Sequence, residues 1–329
     1  MPKILVIRLS SIGDIVLTTP VVRAIKNQLP GAELHYLTKP AFASILEHNP
    51  YIDKLIVLGE SMSETIVRLE AEQYDRIVDL HHNARTLRIK KALGVPSGSF
   101  PKLNIQKWLL VNFKVNRLPE VHIVDRYFKA VLELGVTNDG KGLDYFVEPA
   151  DKVDITSLPE PFRSGYGVFV IGAKHFTKRL PADRIIELIR LTAIPIVLLG
   201  GPDDAEVAGQ ISSAVGDKVY NGVGKFTLAK SASVVQQANV VITHDTGLMH
   251  IAAAFEKKII SIWGNTVPAF GMTPYLPEGK GESRIFEVQG LNCRPCSKIG
   301  FNKCPKGHFK CMNDQDLKAI TDQVKTFFR

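Results

Sequence analysis

The sequence contains no run near the roughly 18 consecutive apolar residues that a membrane helix needs, so no spanning segment is expected. The opening Met1-Pro-Lys-Ile-Leu-Val-Ile-Arg8 lacks a signal peptide's hydrophobic region and small-residue cleavage site. It reads instead as the buried first strand of a cytosolic protein. The turn after that strand lacks the G-x-G-x-x-G pattern, which leaves dinucleotide binding without support. Neither a recognition-helix pattern nor an RNA-binding aromatic module is present, so nucleic acid is not an expected partner. Cysteine is confined to four residues, all between positions 293 and 311, and tryptophan to two.

Against these absences stand 329 residues, 45% of them hydrophobic and 16 of them Phe. That is enough for two buried cores, and the length fits two units of roughly 150 residues. Lys plus Arg number 41 against 33 Asp plus Glu, a net charge of +8. Such a chain attracts anions, among them nucleotide phosphates and anionic surfaces. The cations read as spread along the chain, with the densest local group at Lys303, Lys306 and Lys310.

Short apolar strands alternate with amphipathic segments, which predicts α/β architecture with largely parallel sheets covered on both faces. Strands are expected at Lys3 to Arg8, Glu33 to Leu37, Ile52 to Leu58 and Arg76 to Leu80. Helices are expected at Ile15 to Gln28, Ala41 to His48, Glu64 to Glu72 and Val121 to Leu134, with Pro20 forcing a kink or restart in the first. Residues 97 to 118 read as an excursion of loop and short helix. The pattern restarts at Gly167, with strands at Val168 to Ile171, Ile196 to Leu199, Lys218 to Asn221, Val240 to Thr243 and Lys258 to Trp263. The expected division is 1–155, 156–313 with a cysteine loop at 293–311, and a final helix at 314–329 free to pack back on the first domain. Ligands in such sheets lie at the carboxyl ends of strands, and two such domains predict a site between them.

Four constellations could carry chemistry. Ser10-Ser11-Ile12-Gly13-Asp14 follows the first strand. Asp14 there is a first-turn complement to a helix capped by serine, a general base, or an orienting group for a sugar hydroxyl. Lys178-Arg179-Leu180-Pro181 precedes a helix, and its two cations suit phosphate oxygens as well as a solvated loop. In His244-Asp245-Thr246-Gly247-Leu248-Met249-His250, the backbone N–H groups of Thr246, Gly247 and Leu248 could meet a phosphate, with His250 a ligand contact or a packed helix residue. The flanking α/β pattern argues against reading Asp-Thr-Gly as an aspartic protease. Cys293, Cys296, Cys304 and Cys311 suit structural zinc; iron–sulfur ligation, disulfides and unligated thiols are the competing readings.

The run Ile4 to Asp14, then Leu17-Thr-Thr-Pro-Val-Val-Arg-Ala24, Lys178 to Pro181, Gly200-Gly-Pro-Asp-Asp-Ala-Glu206 and His244 to Ala254, closely resembles the bacterial ADP-heptose:lipopolysaccharide heptosyltransferases. The resemblance implies the GT-B fold, two Rossmann-like domains facing across a cleft, and inverting transfer with no metal needed for chemistry. It implies Asp14 as catalytic base and Lys178 on the donor phosphate, with Arg179 beside it. Asp245, Thr246, Gly247, Leu248 and His250 would line the donor, and Leu180 stands where the family usually has tryptophan. Acceptor-side candidates are Ser10, Ser11 and Gly13 and, after the strand at Arg76 to Leu80, His81, His82, Asn83 and Arg85, the last four reading equally as a polar cap on that strand's loop. The implied partners are a nucleotide sugar and a phosphorylated lipid or oligosaccharide acceptor, met peripherally at the cytoplasmic face of the inner membrane. A relative using another sugar, and a silent nucleotide-binding or scaffold protein, are the alternatives.

Overall fold

The computed structural model describes all 329 residues. Five parallel strands form the first sheet: β1 (Lys3–Ile7), β2 (Glu33–Thr38), β3 (Lys54–Val57), β4 (Arg76–Asp79) and β5 (Ser97–Ser99), in the order β3-β2-β1-β4-β5. Ile4, Leu5, Val6 and Ile7 are all fully buried, as a central strand covered on both faces requires. Six strands form the second sheet: β6 (Gly167–Val170), β7 (Ile196–Leu199), β8 (Val219–Asn221), β9 (Val240–His244), β10 (Lys258–Trp263) and β11 (Glu282–Glu287). Their order, β11-β10-β9-β6-β7-β8, is likewise all parallel. Each sheet therefore reverses its winding once, between β1 and β4 in the first and between β6 and β9 in the second. Those are the switch points where open α/β sheets leave room for a ligand.

The chain forms two compact units, Met1–Lys102 with Val121–Phe146, and Leu103–Glu120 with Val147–Arg329. The expected border at 155/156 thus falls at 146/147, and the excursion belongs to the second unit. Its helix, Asn104–Phe113, buries Leu110, and the Lys114 ammonium donates to the Pro295 carbonyl at 2.7 Å. The final helix, Leu317–Phe328, belongs to the second unit. Leu317, Ile320, Val324 and Phe327 enter the second unit's core with Phe169, Ile185, Ile189 and Ile262.

Several helices are shorter than their periodicity predicts. The Ile15 to Gln28 helix divides into Ile12–Val16 and Thr19–Gln28, with Pro20 in the first turn of the second piece, where a missing N–H is harmless. Ala41 to His48 is a 3-10 turn over Pro40–Ile45, and Val121 to Leu134 is a five-residue helix, Ile123–Tyr127, running into 3-10 turns. Pro181 caps its helix, Ala182–Thr192, from one position outside it. The edge strand β11 had no expected counterpart, because its Glu282, Ser283, Arg284 and Glu287 break the apolar run. Arg23, 3% exposed on the Thr19–Gln28 helix, fastens the 139–144 loop through Asp139, Asp144 and the Gly142 carbonyl.

Candidate active site

In the first unit the groups gather at the β1/β4 switch point. Asp14 lies in the first turn of Ile12–Val16 and reaches back to its cap: its Oδ2 accepts from the Ser11 N–H at 3.2 Å and the Ser11 hydroxyl at 2.7 Å. Its Oδ1 lies 2.6 Å from Arg8 Nη2. The structural role of Asp14 is thus realised, and the Ser11 and Arg8 bonds fix the orientation of its carboxylate. Arg8 also donates to the Ser10 carbonyl at 2.7 Å and the Leu80 carbonyl at 2.5 Å, tying the loops after β1 and β4 together. Burial opposes the Arg8 charge, but Tyr127, Asp14 and Tyr36 outweigh it and raise its pKa.

His81 joins this group through electrostatics. Burial, then Arg8 and Lys102, push its pKa down to about 4 against the opposing pull of Asp79 and Asp14, so the ring is neutral at pH 7. Its Nδ1 is buried without a hydrogen-bond partner. The neighbours are committed to the turn. Buried Asp79 accepts from the His81 and His82 N–H groups at 3.1 and 2.7 Å and from the Thr86 hydroxyl at 2.8 Å. Asn83 caps the helix Ala84–Leu93 by accepting from the Arg85 and Thr86 N–H groups, and the Arg85 side chain is exposed.

In the second unit the groups gather at the β6/β9 switch point. Lys178, from the loop after β6, meets Asp245, from the loop after β9, with Nζ 2.5 Å from Oδ2. Thr266 donates its hydroxyl to the same oxygen at 3.0 Å. Thr246 precedes the helix Gly247–Ala254, and its hydroxyl turns to Thr243 at 3.1 Å instead of capping. That helix has no acidic residue in its first turn, so its leading N–H groups and dipole are offered to an anion. Gly247 and Leu248 are partly exposed there, and His250 is buried one turn further on.

Arg179 is held by protein groups: Nε donates to the Ala173 carbonyl at 2.7 Å, and Nη1 lies 2.8 Å from Asp204 Oδ1. Asp204 is 5% exposed and also accepts from the Gly201 N–H at 2.9 Å. A Cβ at Gly172 would lie 2.1 Å from its Oδ2, which explains glycine two residues beyond β6. His244 Nε2 accepts from the Leu180 N–H at 3.0 Å, and burial followed by Arg179 pushes its pKa down to about 3. Leu180 is itself buried in the core.

The four cysteines are all reduced and, with His308, line one small cavity of about 10 Å³. Cys293 Sγ lies 3.8 Å from His308 Nε2. Burial pushes the Cys311 thiol up to about 12, with Cys296, Cys304 and Cys293 adding to the shift. No group of three or more His, Cys, Asp or Glu side chains is set to hold a metal ion.

Sequence reasoning missed Arg8, Asp79, Asp204, Thr266 and Arg294. Arg294 donates to the Gly264 and Thr266 carbonyls and pairs with Glu287 at 2.5 Å. A charged residue closing an apolar strand was the available signal for Arg8 and Asp79. Glu206, the last residue of the Gly200 to Glu206 run after β7, lies exposed on its helix, and Asp204 two residues earlier holds Arg179.

Two open parallel sheets, each with polar groups converging at its switch point, make up the two-Rossmann-like-domain architecture of the GT-B class. The chain belongs to glycosyltransferase family 9 (heptosyltransferase), whose model matches residues 63–300. It is 24% identical over 323 residues to the lipooligosaccharide heptosyltransferase 2 of Haemophilus influenzae, covering 91% of this chain and 93% of that protein. Among solved structures it is similar to a family 9 glycosyl transferase from Veillonella parvula, with a TM-score of 0.78 and 24% identity over 99% of this chain and 97% of that one. The E. coli ADP-heptose lps heptosyltransferase II matches with a TM-score of 0.75 and 20% identity, covering 99% and 98%.

Proposed function

We propose that this glycosyltransferase moves a heptose from ADP-heptose to a phosphorylated inner-core acceptor of lipopolysaccharide, with inversion at the anomeric carbon. The observation that carries the reading is the Lys178–Asp245 pair beside the uncapped N-terminus of Gly247–Ala254. Lys178 supplies a point charge and Thr246, Gly247 and Leu248 supply N–H donors for a diphosphate; Asp245 holds the ammonium in place until the ligand arrives. As the acceptor oxygen attacks, Asp14 takes its proton, the bond from the anomeric carbon to the diphosphate breaks, and ADP leaves. Charge develops on the leaving diphosphate, where the cation and helix dipole stabilise it. Arg8 and Ser11 hold the Asp14 carboxylate in one orientation, and neutral His81 lies within their electrostatic reach. Calorimetry with ADP, UDP, GDP and their sugars tests this. Selective binding of ADP and ADP-heptose is expected; preference for UDP or GDP removes the heptose assignment.

The reading includes a structural zinc ion held by Cys293, Cys296, Cys304 and Cys311. Its support is that all four cysteines line one cavity, since thiolate sets suit tetrahedral zinc. Binding requires the thiols to deprotonate and draw inward, so zinc uptake releases protons. About one zinc per chain by elemental analysis, and a lowered Tm with a chelator, are the expected results. Metal-free protein with an unchanged Tm removes the ion from the reading. No helix is long and apolar enough to cross a membrane. The proposed location, which rests on the acceptor reading, is the cytoplasm, with peripheral contact at the inner membrane where a lipid-linked acceptor resides.

A further inference from the structure

Residues 80–119 contain eight Lys or Arg and no Asp or Glu, which accounts for the chain's whole net charge of +8. The cations are therefore concentrated, against the even spread first read from the sequence. Within the second unit's part of this stretch, the helix Asn104–Phe113 turns large apolar side chains outward. Ile105 is 73% exposed, Trp108 51%, Phe113 61%, and Val115 just beyond is 42% exposed. The helix is nonetheless firmly seated, by buried Leu110 and by Lys114 bonded to the Pro295 carbonyl. Trp108 and Phe113 make an edge contact at 5.2 Å between centroids, so they present one continuous apolar tip.

We infer that this helix is an interfacial anchor that docks the enzyme on an anionic lipid bilayer. Exposed Ile, Trp and Phe on a fixed helix lose unfavourable hydration by entering the headgroup boundary, where Trp is particularly well placed. Exposed Arg117, within a stretch free of acidic residues from 80 to 119, matches the negative surface potential of such a membrane, while Lys107 packs over the Phe270 ring at 6.0 Å. A free phosphorylated saccharide would use the cations alone and leave the apolar tip in water. The anchor adds a membrane-contact surface to the proposed acceptor reading and rests on that reading only for its purpose. Vesicle binding needs neither donor nor acceptor, so it stands or fails apart from transfer.

The protein carries its own probe, because Trp108 is half exposed and the other tryptophan, Trp263, is 1% exposed. The full chain is mixed with phosphatidylcholine vesicles, with or without one-third phosphatidylglycerol, and sedimentation and tryptophan emission are read. Binding to the anionic vesicles, a blue shift, and quenching by brominated acyl chains are expected, weakening as salt rises. Ile105→Ser with Phe113→Ser should lower partitioning about tenfold or more, and Arg117→Gln about fivefold. Trp108→Phe should abolish the emission change while sedimentation persists. Unchanged circular dichroism and ADP binding show that the variants fold. Sedimentation without Trp108 quenching would place the contact elsewhere and overturn the inference, as would no binding to anionic vesicles.

Discussion

Replacing Asp14 by Asn separates a base from a structural cap, because the shape is kept while the charge and proton affinity are removed. A general base contributes about 10² to 10⁴ in rate, or roughly 3–5 kcal/mol of barrier, so kcat should fall by about that factor. The fold should survive. Arg8 loses its charged partner but keeps the Ser10 and Leu80 carbonyls, and the Asn oxygen can still accept from Ser11. Loss of one charge-assisted bond costs about 1–3 kcal/mol of stability. The donor groups Lys178, Asp245 and Thr246 are held by bonds within the second unit, so ADP affinity should stay within about twofold of wild type. The assay is ADP release at saturating donor, with calorimetric ADP binding and a thermal melt on the same preparations. A kcat within about tenfold of wild type would refute the base assignment. A loss of ADP affinity as large as the loss of rate would make Asp14 a binding or folding residue.

Lys178→Gln removes one charge-assisted contact, so ADP Kd should rise about tenfold to a hundredfold; an unchanged Kd would take Lys178 out of the donor site. Gly172→Ala drives a methyl against an Asp204 carboxylate pinned by Arg179 and the Gly201 N–H, and should cost about 2 kcal/mol or more, read as a lowered denaturant midpoint. Phe327→Ala in the terminal helix should cost about 3–5 kcal/mol, whereas a neutral result would mean that the helix does not complete the second core. Stability should also fall on acidification. The unfolded histidines take up protons below pH about 6.5, while folded His81 and His244, pushed down to about 4 and 3, resist protonation. Their contribution is therefore full above pH about 6.5 and should shrink by about 3 kcal/mol at pH 5. Urea unfolding at the two pH values measures this, and His244→Gln should remove about half of the difference.

The strands were legible because apolar runs such as Ile4 to Ile7 and Ile196 to Leu199 are too short for helices and are bounded by turn residues. The glycine and hydroxyl motifs were legible because they interrupt those runs at strand ends. What escaped depended on pairing across the chain. Nothing local to Lys178 names Asp245, 67 residues away, as its partner, and nothing near Arg23 reveals Asp139 and Asp144. Edge strand β11 escaped because one side of an edge strand faces solvent and its sequence is polar. Arg179 read as a phosphate fork from its cation beside a helix start. Its fork is filled instead by the Ala173 carbonyl, six residues upstream in the same loop, and by Asp204 from the β7 loop, which its neighbours in sequence do not reveal.

The cysteine loop bears on the donor groups through bonds that can be followed residue by residue. Phe301 donates its N–H to the Thr177 hydroxyl at 2.8 Å and accepts from the Thr177 N–H at 3.1 Å, fixing the backbone immediately before Lys178. Arg294, between the first two cysteines, holds the Thr266 carbonyl at 2.8 Å, and Thr266 in turn donates to Asp245. Both members of the Lys178–Asp245 pair are thus positioned from one loop that has little apolar content of its own. Any agent that orders Cys293 to Cys311 therefore orders the donor groups too. Loosening the loop should weaken ADP binding even though no cysteine touches the Lys178–Asp245 pair. A global loss of stability would act on ADP affinity only through the folded fraction, whereas this route lowers affinity in protein that remains fully folded.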